Sequence, residues 1–282
     1  MNRNSVEVAY DFAPEREWRR LEVHRLEFEV AKRNLRAFLS PASLILDVGG
    51  GPGRYAITLA RDGHEVTLAD LSSACLELAR EKARQSGATL KAFVHTDACE
   101  LSAFKDDDFD AVLCMGPLYH LLEESGRVQT VNECLRVLKP EGRLFATFIT
   151  SYAPLIRYVR KNPEALGQGY DPRAYLPSGT HRSGAFVTGV PDAHFVHPFA
   201  VQPFMESFGL ETLKVTGLEG VAMGREQALN ALPAETFARW VDLTYETASD
   251  PVTWGASEHL LYVGRKPACG TALQHTNRSP GT

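Results

Sequence analysis

The stretch Leu44-Ile45-Leu46-Asp47-Val48-Gly49-Gly50-Gly51-Pro52-Gly53-Arg54 decides the fold. A short apolar run, 44–48, ends in glycines and gives way to a helical pattern over 54–61. An apolar run of that length suits a buried strand better than a helix. A strand that enters a helix through bare glycine backbone also brings that backbone close to a ligand.

Outward from this stretch, strand and helix patterns alternate. Apolar runs predict strands at 65–69, 89–95, 109–114 and 143–149, with helices at 72–86 and 128–138 between them. Ser72 stands as a candidate N-cap and Gly87 as a stop, and Lys139-Pro140-Glu141-Gly142 ends the second helix. Strands separated by helices imply right-handed βαβ units, hence a doubly wound α/β fold with a mostly parallel sheet. Upstream, 15–39 reads as one helix between Pro14 and Pro41, an N-terminal helical segment spanning 1–42. Downstream of the fifth strand the rhythm breaks. Residues 151–198 are rich in Gly, Pro, Tyr and His and too long for an ordinary loop, which predicts a lid or substrate-binding insertion. A helix at 198–208, a strand at 210–215, a helical insertion within 217–256 and a last strand at 259–264 complete a domain over 43–266. The polar tail 267–282 reads as disordered.

Composition narrows the class. The 282 residues are 44% apolar and 23% charged with a formal charge of −5, ordinary globular usage without the basic excess of a dedicated nucleic-acid binder. Five scattered cysteines form no C-x-x-C pair, which argues against a disulfide framework and a zinc site and for thiols in a reducing compartment. The N-terminus shows no signal peptide and no stretch is apolar enough to span a bilayer, so a cytoplasmic enzyme without membrane attachment is expected.

Two acids reinforce the glycine turn. Asp70 closes the second strand, where a carboxylate can accept both ribose hydroxyls. Asp97 follows the third, within reach of an adenine edge. Either alone also reads as a helix N-cap. A phosphate-binding G-x-x-x-x-G-K-[ST] loop is absent. The dinucleotide fingerprint remains a rival, because Gly51-x-Gly53-x-x-Ala56 with Asp70 downstream fits it, and an NAD(P)-dependent oxidoreductase is the alternative reading. Asp47 stands against it: a carboxylate there repels a pyrophosphate but suits a cationic amino-acid end, such as that of S-adenosylmethionine.

The successive segments LILDVGGGPGR, LADLS, HTDACEL, FDAVLCMGPLYHLL and LRVLKPEGRLFATF resemble the ordered motifs of class I S-adenosylmethionine-dependent methyltransferases. GPLYHL with the late GASEHLLYVGRKP is similar to a bacterial small-molecule subgroup. The resemblance implies a seven-stranded Rossmann-like sheet whose last strand is antiparallel. It implies that Asp47, Gly49, Gly51 and Gly53 surround the methionine part of the cofactor and that Asp70 holds the ribose, with Leu71 on the adenine. Asp97 and Ala98 would meet the adenine edge, and Met115 and Gly116 would flank the sulfonium. S-adenosylhomocysteine would be the product.

Methyl transfer needs a held nucleophile, a dry site and a base only where the acceptor arrives protonated. Tyr119 and His120, after the fourth strand, and His194 in the insertion are the candidate catalytic groups. A structural hydrogen bond is the plainer role for His120. Tyr10, Arg25, His181 and His197 are candidates for contacting the acceptor, with the N-terminal helix and the insertion capping its pocket. His194 and His197 lack the further ligands a metal needs, so no metal is expected. The expected partner is a small-molecule acceptor rather than nucleic acid, with the chain a monomer or homodimer. A non-catalytic S-adenosylmethionine-binding protein is the third reading.

Overall fold

A computed structural model describes residues 3–169, 171, 173, 175–181 and 192–268. Strand β1 (Leu44–Val48) lies between β2 (Glu65–Asp70) and β4 (Phe109–Cys114), with β3 (Ala92–His95) beyond β2, all parallel. β5 (Leu138–Thr150) pairs in parallel with β4 and, on its other neighbour, antiparallel with β9 (His259–Arg265). β8 (Glu211–Gly217) completes the sheet antiparallel to β9. The seven strands thus run β3-β2-β1-β4-β5-β9-β8, with only β9 reversed, as the resemblance implied. A short β6 (Thr180–His181) and β7 (Ala193–Val196) hairpin is attached where β7 pairs with Ile149 and Thr150 at the end of β5.

The strands alternate their side chains between two cores, as period-two geometry requires. Ile45, Leu68, Leu113, Phe145 and Leu261 point to one, beside helices α3 (Arg25–Phe38), α4 (Arg54–Arg61) and α5 (Ser73–Ser86). Leu46, Ala69, Val112, Leu144 and Tyr262 point to the other, beside Val131, Cys134 and Val137 of α7 (Glu124–Val137). Ser72 caps α5 by accepting from the Cys75 amide, and Gly87 ends it in the left-handed region. Cys75, Cys99, Cys114 and Cys134 are buried free thiols, and Cys269 lies outside the described residues.

Three expectations change. The single helix over 15–39 is two, α2 (Pro14–Val23) and α3, broken at His24 with φ −90° and ψ 53°. A further helix, α1 (Arg3–Phe12), precedes them. Lys139–Gly142 is not a turn outside the sheet but the start of β5, where the register against β4 jumps and Glu141 takes φ 65°. The predicted insertion contributes α8 (Ala153–Lys161) and the hairpin; residues 182–191 and the tail from 269 onward lie outside the described residues. Among the described residues no helix is long and apolar enough to cross a membrane.

Candidate active site

Parallel strands present their C-terminal ends on one edge, and crossover connections leave a crevice there. Gly49 turns out of β1 at φ 65° directly under Pro117, where a Cβ would come within 2.5 Å of the proline ring. Gly51, at φ 56°, faces open space: a Cβ there would meet nothing nearer than Glu17 Cγ at 3.8 Å. The Gly51 amide donates to Asp70 Oδ2 at 2.7 Å and the Ser72 amide to Asp70 Oδ1 at 2.8 Å. This carboxylate is therefore fixed against the turn, and burial raises its pKa. Asp47 is buried beside it, and its Oδ2 has no hydrogen-bond partner among the described residues. Burial, then repulsion from Asp70, pushes its carboxyl up to about 7.

These groups line one cavity of about 1160 Å³ with its open mouth included, beyond the roughly 300–1,000 Å³ of a typical ligand site. Leu71, Asp97, Ala98, Met115 and Gly116 also stand on its wall. Asp97 accepts from the Cys99 amide at 2.8 Å. Gly53 does not reach the cavity; it starts α4 against Leu68 and Ala79, where its role is helix packing.

The N-terminal segment and α6 (Pro117–His120) also line the cavity. His120 Nδ1 lies 3.0 Å from the Asp192 carbonyl oxygen, which can only accept, so Nδ1 carries the proton. Nε2 is then an acceptor and takes a 2.7 Å hydrogen bond from the Tyr10 hydroxyl. Burial lowers the His120 pKa and raises that of Tyr10, so both are neutral. Tyr119 packs edge-on against His120.

The other candidates fall elsewhere, and their expected roles are revised. Arg25 stacks on Phe237, 4.0 Å from the ring centroid, as a packing cation. His181 is buried with its Nδ1 3.2 Å from the Tyr175 hydroxyl. His194 lies on β7 away from the cavity, and burial pushes its imidazole down to about 4. His197 caps the next turn by accepting from the Phe199 amide.

The structure adds a group that the linear sequence hid. Arg20 lines the cavity, donating from Nε to Glu17 at 2.8 Å and from Nη1 to both oxygens of the buried Glu27 at 3.0 and 2.9 Å. Glu27 Oε2 lies 3.8 Å from His259 Nδ1, which hydrogen-bonds Glu219 Oε1 at 2.7 Å. Glu27, Glu219 and His259 have the spacing of a metal site. Arg20 already engages both Glu27 oxygens and His259 faces Glu219, so two cations of the protein neutralise the acids.

Against known proteins, residues 45–142 match the family model described as a methyltransferase domain. A demethylmenaquinone methyltransferase of Clavibacter sepedonicus is 40% identical over 114 residues, 40% of this chain and 44% of that protein. A ubiquinone biosynthesis O-methyltransferase of Saccharophagus degradans is 28% identical over 192 residues, 66% of this chain and 71% of that protein. The chain thus spans less than half of the first relative's length. A crystal structure of a methyltransferase from Methanosarcina mazei, described as S-adenosylmethionine-dependent, shares the fold with a TM-score of 0.57 at 21% identity, covering 83% of this chain and 97% of that one. At that identity the likeness is one of fold.

The sequence resemblance implies S-adenosylmethionine, and the cavity carries groups suited to it. Gly51 leaves a cradle that any side chain would fill, and Asp47 offers an unpartnered buried oxygen to an ammonium. Arg20 Nη2 makes no hydrogen bond among the described residues and is available to a carboxylate.

Proposed function

We propose that this chain transfers the methyl group of S-adenosylmethionine to a small-molecule acceptor whose attacking atom carries a proton. The observation that carries the reading is the convergence of two groups on one cavity: Asp47, Gly51 and Asp70 from the strand ends, and the neutral Tyr10–His120 pair from α1 and α6. The bound cofactor supplies a methyl group on a sulfonium that needs no further activation. Asp70 would hold the ribose hydroxyls, and Asp47 and Arg20 would take the ammonium and carboxylate. Asp97, Ala98 and Leu71 would border the adenine, and Met115 and Gly116 would flank the sulfonium.

The acceptor's proton passes to the Tyr10 oxygen as the Tyr10 proton moves to His120 Nε2. A neutral imidazole anchored through Nδ1–H is the form able to receive it. Rings of Tyr10, Tyr119 and His120 make this wall suited to a flat organic acceptor. A nicotinamide dinucleotide is disfavoured because the buried Asp47 carboxyl stands where its pyrophosphate would pass. Titration calorimetry with S-adenosylhomocysteine, NAD and NADP tests the reading. Binding of the homocysteine compound alone supports it; binding of a dinucleotide instead overturns it in favour of an oxidoreductase.

A further inference from the structure

Arg20 is held more elaborately than a surface arginine needs. Its guanidinium sits two helical turns from Glu27 across the break at His24, so the kink between α2 and α3 lets Nη1 meet both carboxylate oxygens. Glu27 is 3% exposed, a position where a charge persists only with partners. One partner is Arg20; against burial, which pushes the carboxyl up, Arg20 together with His259 and His24 holds it below the usual range.

The other comes from the far side of the fold. Because β9 runs antiparallel, its first residue, His259, lies at the ligand edge of the sheet, and Glu219 follows the end of β8 at the same edge. Glu219 grips His259 twice, through the backbone amide at 3.0 Å and through Nδ1 at 2.7 Å. Burial alone would lower the His259 pKa; Glu27 and Glu219 outweigh it and hold it up to about 9, a cation at neutral pH. Tyr119, on the cavity wall, packs edge-on against the same ring at 6.0 Å between centroids.

We propose that Glu27, His259 and Glu219 form a positioning relay that fixes Arg20 so that its unengaged Nη2 meets the carboxylate of the cofactor's amino-acid end. None of the three lines the cavity; each acts through the next. A fixed fork needs no reorganisation on binding, whereas a loose arginine loses side-chain freedom each time a ligand enters. The alternating order of charges keeps the Glu27 carboxylate from drawing Arg20 fully out of the wall: His259 competes for the same Oε2.

The inference rests on the cofactor reading above, and two ligands separate the two. S-adenosylhomocysteine carries the amino-acid end; 5′-methylthioadenosine carries the adenosine and sulfur without it. In the full-length protein, His259→Gln and Glu27→Gln each weaken S-adenosylhomocysteine binding by about tenfold or more, the loss of one charge-assisted hydrogen bond. Both leave the affinity for 5′-methylthioadenosine within about twofold, because the adenosine contacts are untouched. If His259→Gln does not fold, Glu219→Gln, which keeps the shape at the outer end, is read in the same way. Unchanged affinity for both ligands overturns the relay, and so does an equal loss of both, which would make the network merely structural. Failure of the unmutated protein to bind either ligand overturns the cofactor reading instead.

Discussion

On the proposed reading, Asp47 couples its own protonation to binding of the cofactor's ammonium. Its carboxyl, pushed up to about 7 by burial and by Asp70, is largely protonated at pH 6. A ligand ammonium favours the ionised form, so binding releases a proton below pH 7. The affinity for S-adenosylhomocysteine therefore rises as pH increases from 5 to 7 and levels off above. Calorimetry in buffers of different ionisation enthalpy would register the released proton, and Asp47→Asn should abolish the slope. A flat profile in the unmutated protein removes Asp47 from the ammonium. Asp70 acts differently, since both its oxygens are held by backbone amides. Asp70→Ala should weaken binding of the same ligand by roughly 1–3 kcal/mol, the consequence of leaving buried donors and ribose hydroxyls unpaired. These acids were legible in sequence because each stands in the last residues of a strand, and parallel strand ends converge. Arg20 and Glu27 were not, because a charged helical residue reads the same whether its face meets water or a core.

At the scale of elements, α1 lines the cavity and is fastened at two places. Tyr10 holds it to His120 beyond β4, and Asp11 Oδ1 accepts from Ser72 Oγ at 2.5 Å and the Ala74 amide at 3.1 Å beyond β2. The two fastenings make separable predictions. Tyr10→Phe removes the relay hydroxyl and should lower kcat by roughly 10²–10⁴-fold while S-adenosylhomocysteine binding stays unchanged. Steady-state kinetics beside calorimetry would tell; equal losses in both would assign Tyr10 a binding role. Asp11→Ala loosens the other end, uncapping the first turn of α5, and should lower stability by about 1 kcal/mol, readable as a lower Tm. Strands and their following helices were legible here because period-two and period-3.6 patterns are separated by Gly and Pro. The break at His24 was not: neither Gly nor Pro marks it, and the apolar repeat runs through it. The histidine-rich insertion misled for a related reason, since the pairing of β7 with the end of β5 turns His181 and His194 into packed hairpin residues.

On the scale of the whole molecule, sheet order decides which distant residues meet. Only the reversal of β9 brings His259, from the end of the described chain, against Glu27 from its beginning. A last reversed strand was readable from the motif order, but its consequence was not, because no spacing rule links residues 232 positions apart. That junction ties the N-terminal helices to the C-terminal strands, so its charge state should appear in global stability. His259 titrates near 9 when folded and near 6.5 when exposed. Its contribution is therefore fully present below about pH 6.5 and is lost as pH rises through about 9. The amount is on the order of 3 kcal/mol, or roughly 5–10 °C in Tm for a chain of this size. Buried thiols such as Cys75, raised to about 12 by burial, also erode stability in alkali, but they do so equally in a His259 variant. Thermal melts of the unmutated protein and His259→Gln from pH 6 to 9.5 isolate the difference. The variant should melt lower at pH 6.5 and converge with the unmutated protein near pH 9.5. Parallel curves across that range would mean that His259 is neutral in the folded state and that Glu27 is balanced by Arg20 alone.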